Sequence, residues 1–194
     1  MSASLLVVGA GGFGFTVWEL ALQTGDWSRI EFLDDSFPEG KYKQLKLVGC
    51  LSQLPTLATE YDAVVVAIGN NRLRKELIES VEQAGGTLAI LVSPLARVSE
   101  WARLGEGVAV MPGAYVGANA AIGKGCLLNP NSTADHDAVM EPFSQLGVGA
   151  SIAGTGIARQ GAWLRAGVSL SYSQIAEEWT IYESDVRTYR ATPL

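Results

Sequence analysis

The chain has 194 residues and a formal net charge of −6, and 48% of its residues are hydrophobic. This length accommodates one large domain or two small ones, and the apolar content argues against disorder. The acidic balance disfavours nucleic acids and acidic membrane surfaces as partners, because both repel a negatively charged protein. The longest early apolar run, Leu5–Ala10, is too short to span a bilayer, so we expect no membrane insertion.

The two cysteines, Cys50 and Cys126, lie far apart in the sequence. Their spacing matches neither a metal site nor a disulfide framework, so we expect no metal ion and a reducing compartment. The early apolar run also lacks the basic flank of a signal peptide. Together these features predict a soluble, cytoplasmic protein.

The first half of the chain alternates strand-like and helix-like segments. The predicted strands are Leu5–Val8, Ile30–Leu33, Ala63–Ile68 and Thr87–Val92, and the predicted helices are Phe15–Leu22 and Arg72–Ala84. The third strand is a continuous run of Val, Ala and Ile, which is typical of a strand buried on both faces of a parallel sheet. This β-α-β order predicts a small Rossmann-like α/β domain with a parallel sheet over residues 1–94.

From Val98 onward, apolar residues recur at every sixth position. Fourteen consecutive positions of this register are apolar, namely Val98, Leu104, Val110, Val116, Ile122, Leu128, Ala134, Met140, Leu146, Ile152, Ala158, Leu164, Leu170 and Ala176. Of the fourteen positions that lie four residues further along, thirteen carry a small or β-branched side chain, and only Gln174 does not. The regularity extends without an insertion, so it is a structural repeat.

A six-residue period fits neither an α-helix nor an alternating strand, but it fits a triangular solenoid. Each step then makes one side and one corner, and three steps make a coil of eighteen residues. We predict that residues 95–194 form such a parallel β-helix. Near its corners, backbone angles that other residues resist are expected at Gly105, Gly117, Gly123 and Gly147.

A glycine-rich loop, Gly9–Gly14, follows the first predicted strand and opens the first predicted helix. Backbone N–H groups and the helix dipole can hold phosphate at such a place. A full dinucleotide site for NAD or FAD needs two βαβαβ halves, for which the α/β region is too short, so a mononucleotide fits better. Structural use of the glycines in a tight turn is the alternative. The candidate ligand-binding positions are Gly9, Gly11, Gly12, Phe13 and Gly14.

Polar residues end the second and third predicted strands at the same edge of the sheet. Asp34 and Asp35 follow the second strand, where a carboxylate can accept hydrogen bonds from a ribose or a base, although two adjacent acids can equally be solvated. Gly69, Asn70 and Asn71 follow the third strand, where they either contact a ligand or form a turn. We count Asp34, Asp35, Gly69 and Asn70 as candidate ligand-binding residues.

His136 is the only histidine in the chain. Its imidazole titrates near neutral pH, which suits a general base that takes a proton from an amine or a hydroxyl. A single histidine is usually structural, but this one lies near a predicted corner rather than at the core position Ala134. Asp135 and Asp137 flank it, and either carboxylate can orient the ring. Gly154 follows eighteen residues later, so it stacks one coil away, about 4.8 Å along the axis.

The chain resembles a family of bacterial sugar acetyltransferases that join a small nucleotide-binding α/β domain to a left-handed β-helix of hexapeptide repeats. The family includes N-acetyltransferases of nucleotide-linked 4-amino sugars and sialic acid O-acetyltransferase-like proteins. The motifs that carry the resemblance are Gly9–Gly14, Phe32–Asp35, Ala67–Asn71 and the stretch Asn129–Gly154 with its Asp135-His136-Asp137. Together they are specific, whereas each one alone would be weak.

The resemblance implies roles for four residues of the repeat region. His136 matches the family's general base, and Asp137 matches its acidic partner, which is usually glutamate. The backbone N–H of Gly154 matches the donor that binds the thioester carbonyl of acetyl-CoA and then the oxyanion. Asn129 matches an active-site asparagine that helps to place the acceptor, and the alternative is that it belongs to an asparagine ladder or a turn of the solenoid. Relatives are homotrimers, so a homotrimer is expected here.

The chain departs from the family at three places. Phe13 stands where many relatives carry a histidine that contacts the nucleotide-sugar, and Gln145 replaces a second active-site histidine of some relatives. The closing Gly-x-Pro-Ala segment, which helps to complete the CoA site, is reduced to Ala191-Thr192-Pro193.

These observations predict an acetyl-CoA-dependent N-acetyltransferase that acts on a nucleotide-linked amino sugar in surface-glycan biosynthesis. Acetyl-CoA would be the co-substrate, and no metal is required. One alternative is O-acetylation of a sugar hydroxyl, and another is a non-catalytic nucleotide-sugar-binding protein. A nucleotide-dependent oxidoreductase is disfavoured by the size of the α/β domain.

Overall fold

The computed structural model describes residues 3–184, and it begins with a four-stranded parallel sheet of order β3-β2-β1-β4. Its strands are β1 (Ala3–Val8), β2 (Trp27–Leu33), β3 (Leu47–Gly49) and β4 (Ala63–Val66). The helices are α1 (Gly12–Thr24), α2 (Leu54–Leu57) and α3 (Asn71–Gln83), and a 3-10 helix covers Leu51–Gln53. Helix α1 covers one face of the sheet, and α2 and α3 cover the other. The continuous apolar runs of β1 and β4 are therefore buried on both sides, as predicted.

The prediction of a fourth α/β strand at Thr87–Val92 is wrong. Leu88 forms only an isolated bridge with Val64 of β4. Leu91–Val92 instead forms β5, which pairs with Ala109–Val110 of the repeat region. A short apolar run suits either sheet, and the chain uses this one to pass from the first sheet into the solenoid. The division into residues 1–94 and 95–194 stays a prediction. Strand β5 lies on the N-terminal side of this boundary, but it pairs with Ala109–Val110 on the C-terminal side.

The repeat region is a left-handed β-helix of two-residue strands, which confirms the predicted solenoid. Strands eighteen residues apart pair in parallel, for example Thr133–Ala134 with Ser151–Ile152. The strands are β5 (Leu91–Val92), β6 (Arg97–Val98), β7 (Arg103–Leu104), β8 (Ala109–Val110), β9 (Tyr115–Val116), β10 (Ala121–Ile122), β11 (Leu127–Leu128), β12 (Thr133–Ala134), β13 (Val139–Met140), β14 (Gln145–Leu146), β15 (Ser151–Ile152), β16 (Ile157–Ala158), β17 (Trp163–Leu164), β18 (Ser169–Leu170), β19 (Ile175–Ala176) and β20 (Ile181–Tyr182).

These strands form the three side walls of the prism. The first wall contains β5, β8, β11, β14, β17 and β20, the second contains β6, β9, β12, β15 and β18, and the third contains β7, β10, β13, β16 and β19. From Val110 to Leu164 every predicted aliphatic position is buried inside the prism. The apolar interior and the backbone ladders between coils account for the stability of this region.

Left-handed backbone angles occur at the corners, but not at the four predicted glycines. Positive φ recurs at every sixth residue from Gly107 to Trp179, and seven of these thirteen residues carry a side chain. At Gly105, Gly117, Gly123 and Gly147, glycine is needed for a different reason. The neighbouring coil passes so close that a Cβ on Gly147 would lie 2.5 Å from the backbone nitrogen of Ala166.

The α/β sheet packs against the solenoid through α3. The buried guanidinium of Arg74 donates to the carbonyl oxygens of Gly125 (2.8 Å), Phe143 (2.8 Å) and Ile68 (2.9 Å). Burial lowers the pKa of Arg74 to about 10, which leaves it charged at neutral pH. Arg74 therefore ties two successive coils, at the corner between the third and first walls, to the segment that follows β4. No helix among the described residues combines the length and apolar content of a membrane span.

Candidate active site

His136 lies at the corner between the second and third walls, which we call the histidine corner. It comprises residues 117–120, 135–138, 153–156 and 171–174, which stack in successive coils. Its imidazole side chain is 50% exposed, and its Nδ1 atom lies 2.9 Å from Oδ2 of Asp137. The other carboxylate oxygen of Asp137 accepts a hydrogen bond from Nδ2 of Asn119 (2.6 Å). The three side chains thus form a chain from amide to carboxylate to imidazole.

This arrangement determines which nitrogen of His136 is free. Hydrogen bonds from Asn119 and then from His136 hold the pKa of Asp137 below its usual value, so this carboxylate is ionised and can only accept. Nδ1 of His136 must therefore carry the proton, and Nε2 of the neutral ring is left with a lone pair. The hydrogen bond to Asp137 is also the main cause that raises the pKa of His136. The geometry suits a general base that is oriented by a carboxylate.

Gly154 lies directly against the imidazole. A Cβ at this position would lie 2.6 Å from Cε1 of His136 and closer still to Nε2. Within residues 3–184, the N–H of Gly154 donates to no backbone oxygen. The same corner position elsewhere holds Pro112, Pro130 and Pro142, which confirms that the solenoid does not need an N–H there. Gly154, whose N–H has no backbone acceptor among the described residues, therefore lies against an imidazole nitrogen with a free lone pair.

Two further residues of this corner were missed by the sequence analysis. Asn119 lies eighteen residues before Asp137, and Tyr172 lies eighteen residues after Gly154. The spacing of one coil would have found both, because residues eighteen apart stack. Their side chains approach Asp137 and His136 respectively.

The glycine loop adopts a conformation that requires glycine at two positions. Gly9 has φ of 104°, and a Cβ there would lie 2.9 Å from the carbonyl oxygen of Ala67. A Cβ on Gly14 would collide with the carbonyl of Gly9. Gly11 and Gly12 are exposed where α1 begins, and Phe13 is half-buried. The first N–H groups of α1 have no partner within the helix, as at any helix start.

The two predicted acids have different surroundings. Oδ2 of Asp34 accepts a hydrogen bond from the N–H of Ala10 (2.7 Å), and Oδ1 accepts from the N–H (2.9 Å) and hydroxyl of Ser36. Burial acts to raise the pKa of Asp34, but these hydrogen bonds outweigh it and hold the pKa below its usual value. Asp34 thus supports the glycine loop. Asp35 accepts from the N–H of Leu51 (3.0 Å).

Gly69 and Asn70 lie beside a cavity of about 390 Å³ between α3 and the first wall of the solenoid. Oδ1 of Asn70 caps α3 by accepting from the N–H groups of Arg72 (3.0 Å) and Leu73 (3.1 Å). Gly69 has open space where a Cβ would point. The further lining residues are Asn71, Arg72, Gly161, Trp163, Trp179 and Ile181.

The structure does not bring all the predicted residues together. Asn129 lies at the corner between the first and second walls, where its Nδ2 donates to the carbonyl of Leu146 (2.6 Å). Gln145 is buried on the first wall, opposite the histidine corner. Within one chain, the sheet edge with Gly69 and Asn70 also lies on this opposite side. The segment Ala191-Thr192-Pro193 lies outside the described residues.

Comparison with known proteins shows the family of this chain. The family model of the PglD N-terminal domain matches residues 4–81. The solved acetyltransferase domain of PglB from Neisseria gonorrhoeae FA1090 is 31% identical, with a TM-score of 0.78 over 96% of this chain and 94% of that chain. The chain belongs to this family of bacterial sugar acetyltransferases. The expected resemblance and fold class are thereby confirmed.

Two other members of the family carry more specific names. PerB from Caulobacter crescentus, solved with CoA and GDP-perosamine, is 27% identical, with a TM-score of 0.70 over 90% of this chain and 91% of that chain. UDP-N-acetylbacillosamine N-acetyltransferase of Bacillus subtilis (strain 168) is 31% identical over 111 residues, or 56% of this chain. That match spans about half of the relative, 51% of its length. The PglB domain has also been solved with acetyl coenzyme A.

Proposed function

We propose that this protein is an acetyl-CoA-dependent N-acetyltransferase that acts on a nucleotide-linked amino sugar in glycan biosynthesis. The observation that carries the proposal is the contact between His136 and Gly154. It places a free imidazole lone pair beside a backbone N–H that has no backbone acceptor among the described residues. A relative named for sugar N-acetylation, and relatives solved with acetyl-CoA or with CoA and GDP-perosamine, support the substrate class.

In the proposed reaction each of these groups has one role. The amine of the sugar attacks the thioester carbon while Nε2 of His136 takes its proton, and a C–N bond forms. The N–H of Gly154 donates to the carbonyl oxygen as it becomes an oxyanion. The C–S bond then breaks, and the proton on His136 passes to the departing thiolate. Asp137, itself held by Asn119, keeps the ring in place and stabilises the imidazolium.

The α/β domain would hold the nucleotide. The glycine loop would donate backbone N–H groups to the phosphates and let them approach the backbone closely. The residues of this loop that would contact the phosphates are Gly9, Gly11, Gly12, Phe13 and Gly14. In this proposal Asp34 acts by holding the loop, since the protein already supplies its hydrogen bonds.

The rest of the nucleotide site would lie at the same sheet edge. Asp35 would face the ribose or the base, and Gly69 and Asn70 would line the neighbouring end of β4. Asn70 keeps its Nδ2 group for this contact, because only its Oδ1 caps α3.

A homotrimer would resolve the separation between the two sites. In a single chain the nucleotide edge and His136 lie on opposite sides of the prism. A ring of three prisms can bring the nucleotide edge of one subunit, or its Asn129, to the histidine corner of another. Light scattering should give the mass of a trimer, and a monomer at micromolar concentration would contradict this part of the proposal. A cytoplasmic location, where acetyl-CoA is available, completes the proposal.

The decisive assay is thiol release from acetyl-CoA in the presence of UDP-, GDP- and dTDP-linked amino sugars. We expect turnover with an amino sugar, and a fall of about 10²–10⁴-fold in kcat when His136 is replaced by alanine, the usual share of a general base. Calorimetry should show that the variant still binds CoA. Turnover only with a hydroxyl acceptor would indicate O-acetylation, and binding without turnover would indicate a non-catalytic protein. Turnover of His136→Ala within a few-fold of the unmodified protein would refute the assigned base.

A further inference from the structure

The imidazole of His136 is aimed by a hydrogen bond rather than by close packing. The side chains of His136 and Asp137 are 50% and 45% exposed, so the core does not hold either of them. Gly154 lies against one edge of the imidazole but brings no side chain of its own. The direction of Nε2 therefore depends on the bond between Nδ1 and the carboxylate of Asp137, which lies at 2.9 Å.

Asn119 fixes this carboxylate from the other side. Its Nδ2 donates to Oδ1 of Asp137 at 2.6 Å, which leaves Oδ2 for His136. Two donors on different oxygens set the rotation of the carboxylate, whereas one donor would leave a half-exposed side chain free to turn toward water. Asn119 is thus the first member of the chain of bonds that aims the imidazole.

The coils hold Asn119 at this place. It lies eighteen residues before Asp137, and the two residues have similar left-handed backbone angles, with φ of 59° and 56°. Similar angles at equivalent corner positions point the two side chains in the same direction, about 4.8 Å apart. The N–H of Asp137 donates to the carbonyl oxygen of Ala118 (2.9 Å), which fixes the spacing of the two coils at this corner.

The left-handed angle alone does not account for an asparagine. Asparagine adopts this conformation more readily than most residues, so the simplest role of Asn119 would be to form the corner. The same position of other corners, however, holds Phe143, Thr155 and Trp179 with positive φ. The corner therefore accepts side chains of many kinds, whereas the bond to Asp137 needs the amide of Asn119.

We propose that Asn119 is a positioning residue of the active site, which holds Asp137 and through it keeps His136 in the orientation of a general base. The proposal rests on the acyltransferase function proposed above and adds to it a residue that acts only through Asp137. Without the amide, the carboxylate would turn toward water and its hydrogen bond to Nδ1 would weaken. The imidazole would then lose the direction of Nε2.

The first test is a titration of His136 by nuclear magnetic resonance, which is unambiguous because the chain has only this histidine. The titratable groups around it within residues 3–184 are Asp135, Asp137 and Tyr172. Asn119→Ala removes none of them, but it frees Asp137, whose hydrogen bond is the main cause that raises the pKa of His136. We expect a lower pKa of His136 in Asn119→Ala, and no further decrease when Asn119→Ala is added to Asp137→Ala.

The second test is the rate of thiol release. Asn119→Ala should lower kcat by about 10-fold or more, since a misplacement of about 1 Å can cost about 10²-fold. The KM for acetyl-CoA should stay within about twofold, because Asn119 contributes to orientation and not to binding. Asn119→Asp keeps the shape of the side chain but replaces the donor by an acceptor, so kcat should fall at least as far. In an Asp137→Ala background, Asn119→Ala should change kcat by less than about twofold.

A matched variant separates this role from a structural one. Asn131 lies at another corner with φ of 58°, so Asn131→Ala measures what alanine costs at a left-handed position. The urea unfolding midpoint of Asn119→Ala should fall no further than that of Asn131→Ala.

Three results would each overturn the proposal. They are an unchanged or raised pKa of His136 in Asn119→Ala, full turnover of Asn119→Asp, and an equal loss of kcat with and without Asp137. If the unmodified protein releases no thiol with any amino sugar, but the pKa of His136 still falls in Asn119→Ala, the proposed function fails. The orienting role of Asn119 would then be supported on its own.

Discussion

Gly154→Ala isolates the contact between Gly154 and His136, because the added methyl group meets the imidazole. Its Cβ would lie 2.6 Å from Cε1 of the ring, whereas ordinary contacts between carbon atoms are about 3.5–4.0 Å. The ring must therefore move by about 1 Å, which disturbs its 2.9 Å hydrogen bond to Asp137. A displacement of this size at a catalytic group lowers kcat/KM by about 10²-fold.

The fold itself should tolerate this alanine. Gly154 does not have positive φ, and Ala118 and Ala166 already occupy the equivalent corner position in other coils. We therefore expect an unchanged urea unfolding midpoint together with the loss of thiol release. The matched control is Gly154→Ala in a His136→Ala background, where the methyl group no longer meets the imidazole and the second change should cost little. Turnover of the single variant within about threefold of the unmodified protein would refute the argument.

Three further predictions concern proton transfer, domain packing and nucleotide binding. The hydrogen bond to Asp137 raises the pKa of His136, and the ring must be neutral to act as a base, so kcat/KM should fall as pH decreases through a value above 6.5. Asp137→Asn removes this hydrogen-bonded charge and should move the fall in kcat/KM to lower pH. An unchanged pH profile in this variant would exclude the pairing of Asp137 with His136. Arg74→Met should lower the free energy of unfolding by about 3 kcal/mol, which is about 1 kcal/mol for each of the three carbonyl groups left without a donor. The control Arg97→Met removes an exposed arginine and should change the free energy of unfolding by less than about 0.5 kcal/mol. Equal urea unfolding midpoints for the two variants would contradict this prediction. Gly11→Trp should weaken the binding of the nucleotide-sugar, measured by calorimetry. It should change the unfolding midpoint little, since Gly11 is exposed and no atom lies within 4 Å of a Cβ at this position. Equal affinities of the variant and the unmodified protein would exclude the glycine loop from the binding site.

The sequence by itself determined the solenoid and the alignment of its corners. A strict period of six places every third step in the same corner, so residues eighteen apart become neighbours without further information. That rule predicted that His136 and Gly154 would stack, and it would also have identified Asn119 and Tyr172. The buried runs of β1 and β4 could likewise be predicted, because a strand covered on both faces must be apolar throughout.

Contacts between segments that the six-residue repeat does not relate could be known only from the tertiary structure. The run Thr87–Val92 suits either sheet, and its pairing depends on which neighbour is present. Asp34 could have faced a ligand, but it accepts hydrogen bonds from Ala10 of the glycine loop and from Ser36. The docking of α3 through Arg74 places Gly69 and Asn70 beside the first wall, which lies opposite the histidine corner. These contacts depend on how whole helices and strands pack together, and no repeat in the sequence predicts that packing.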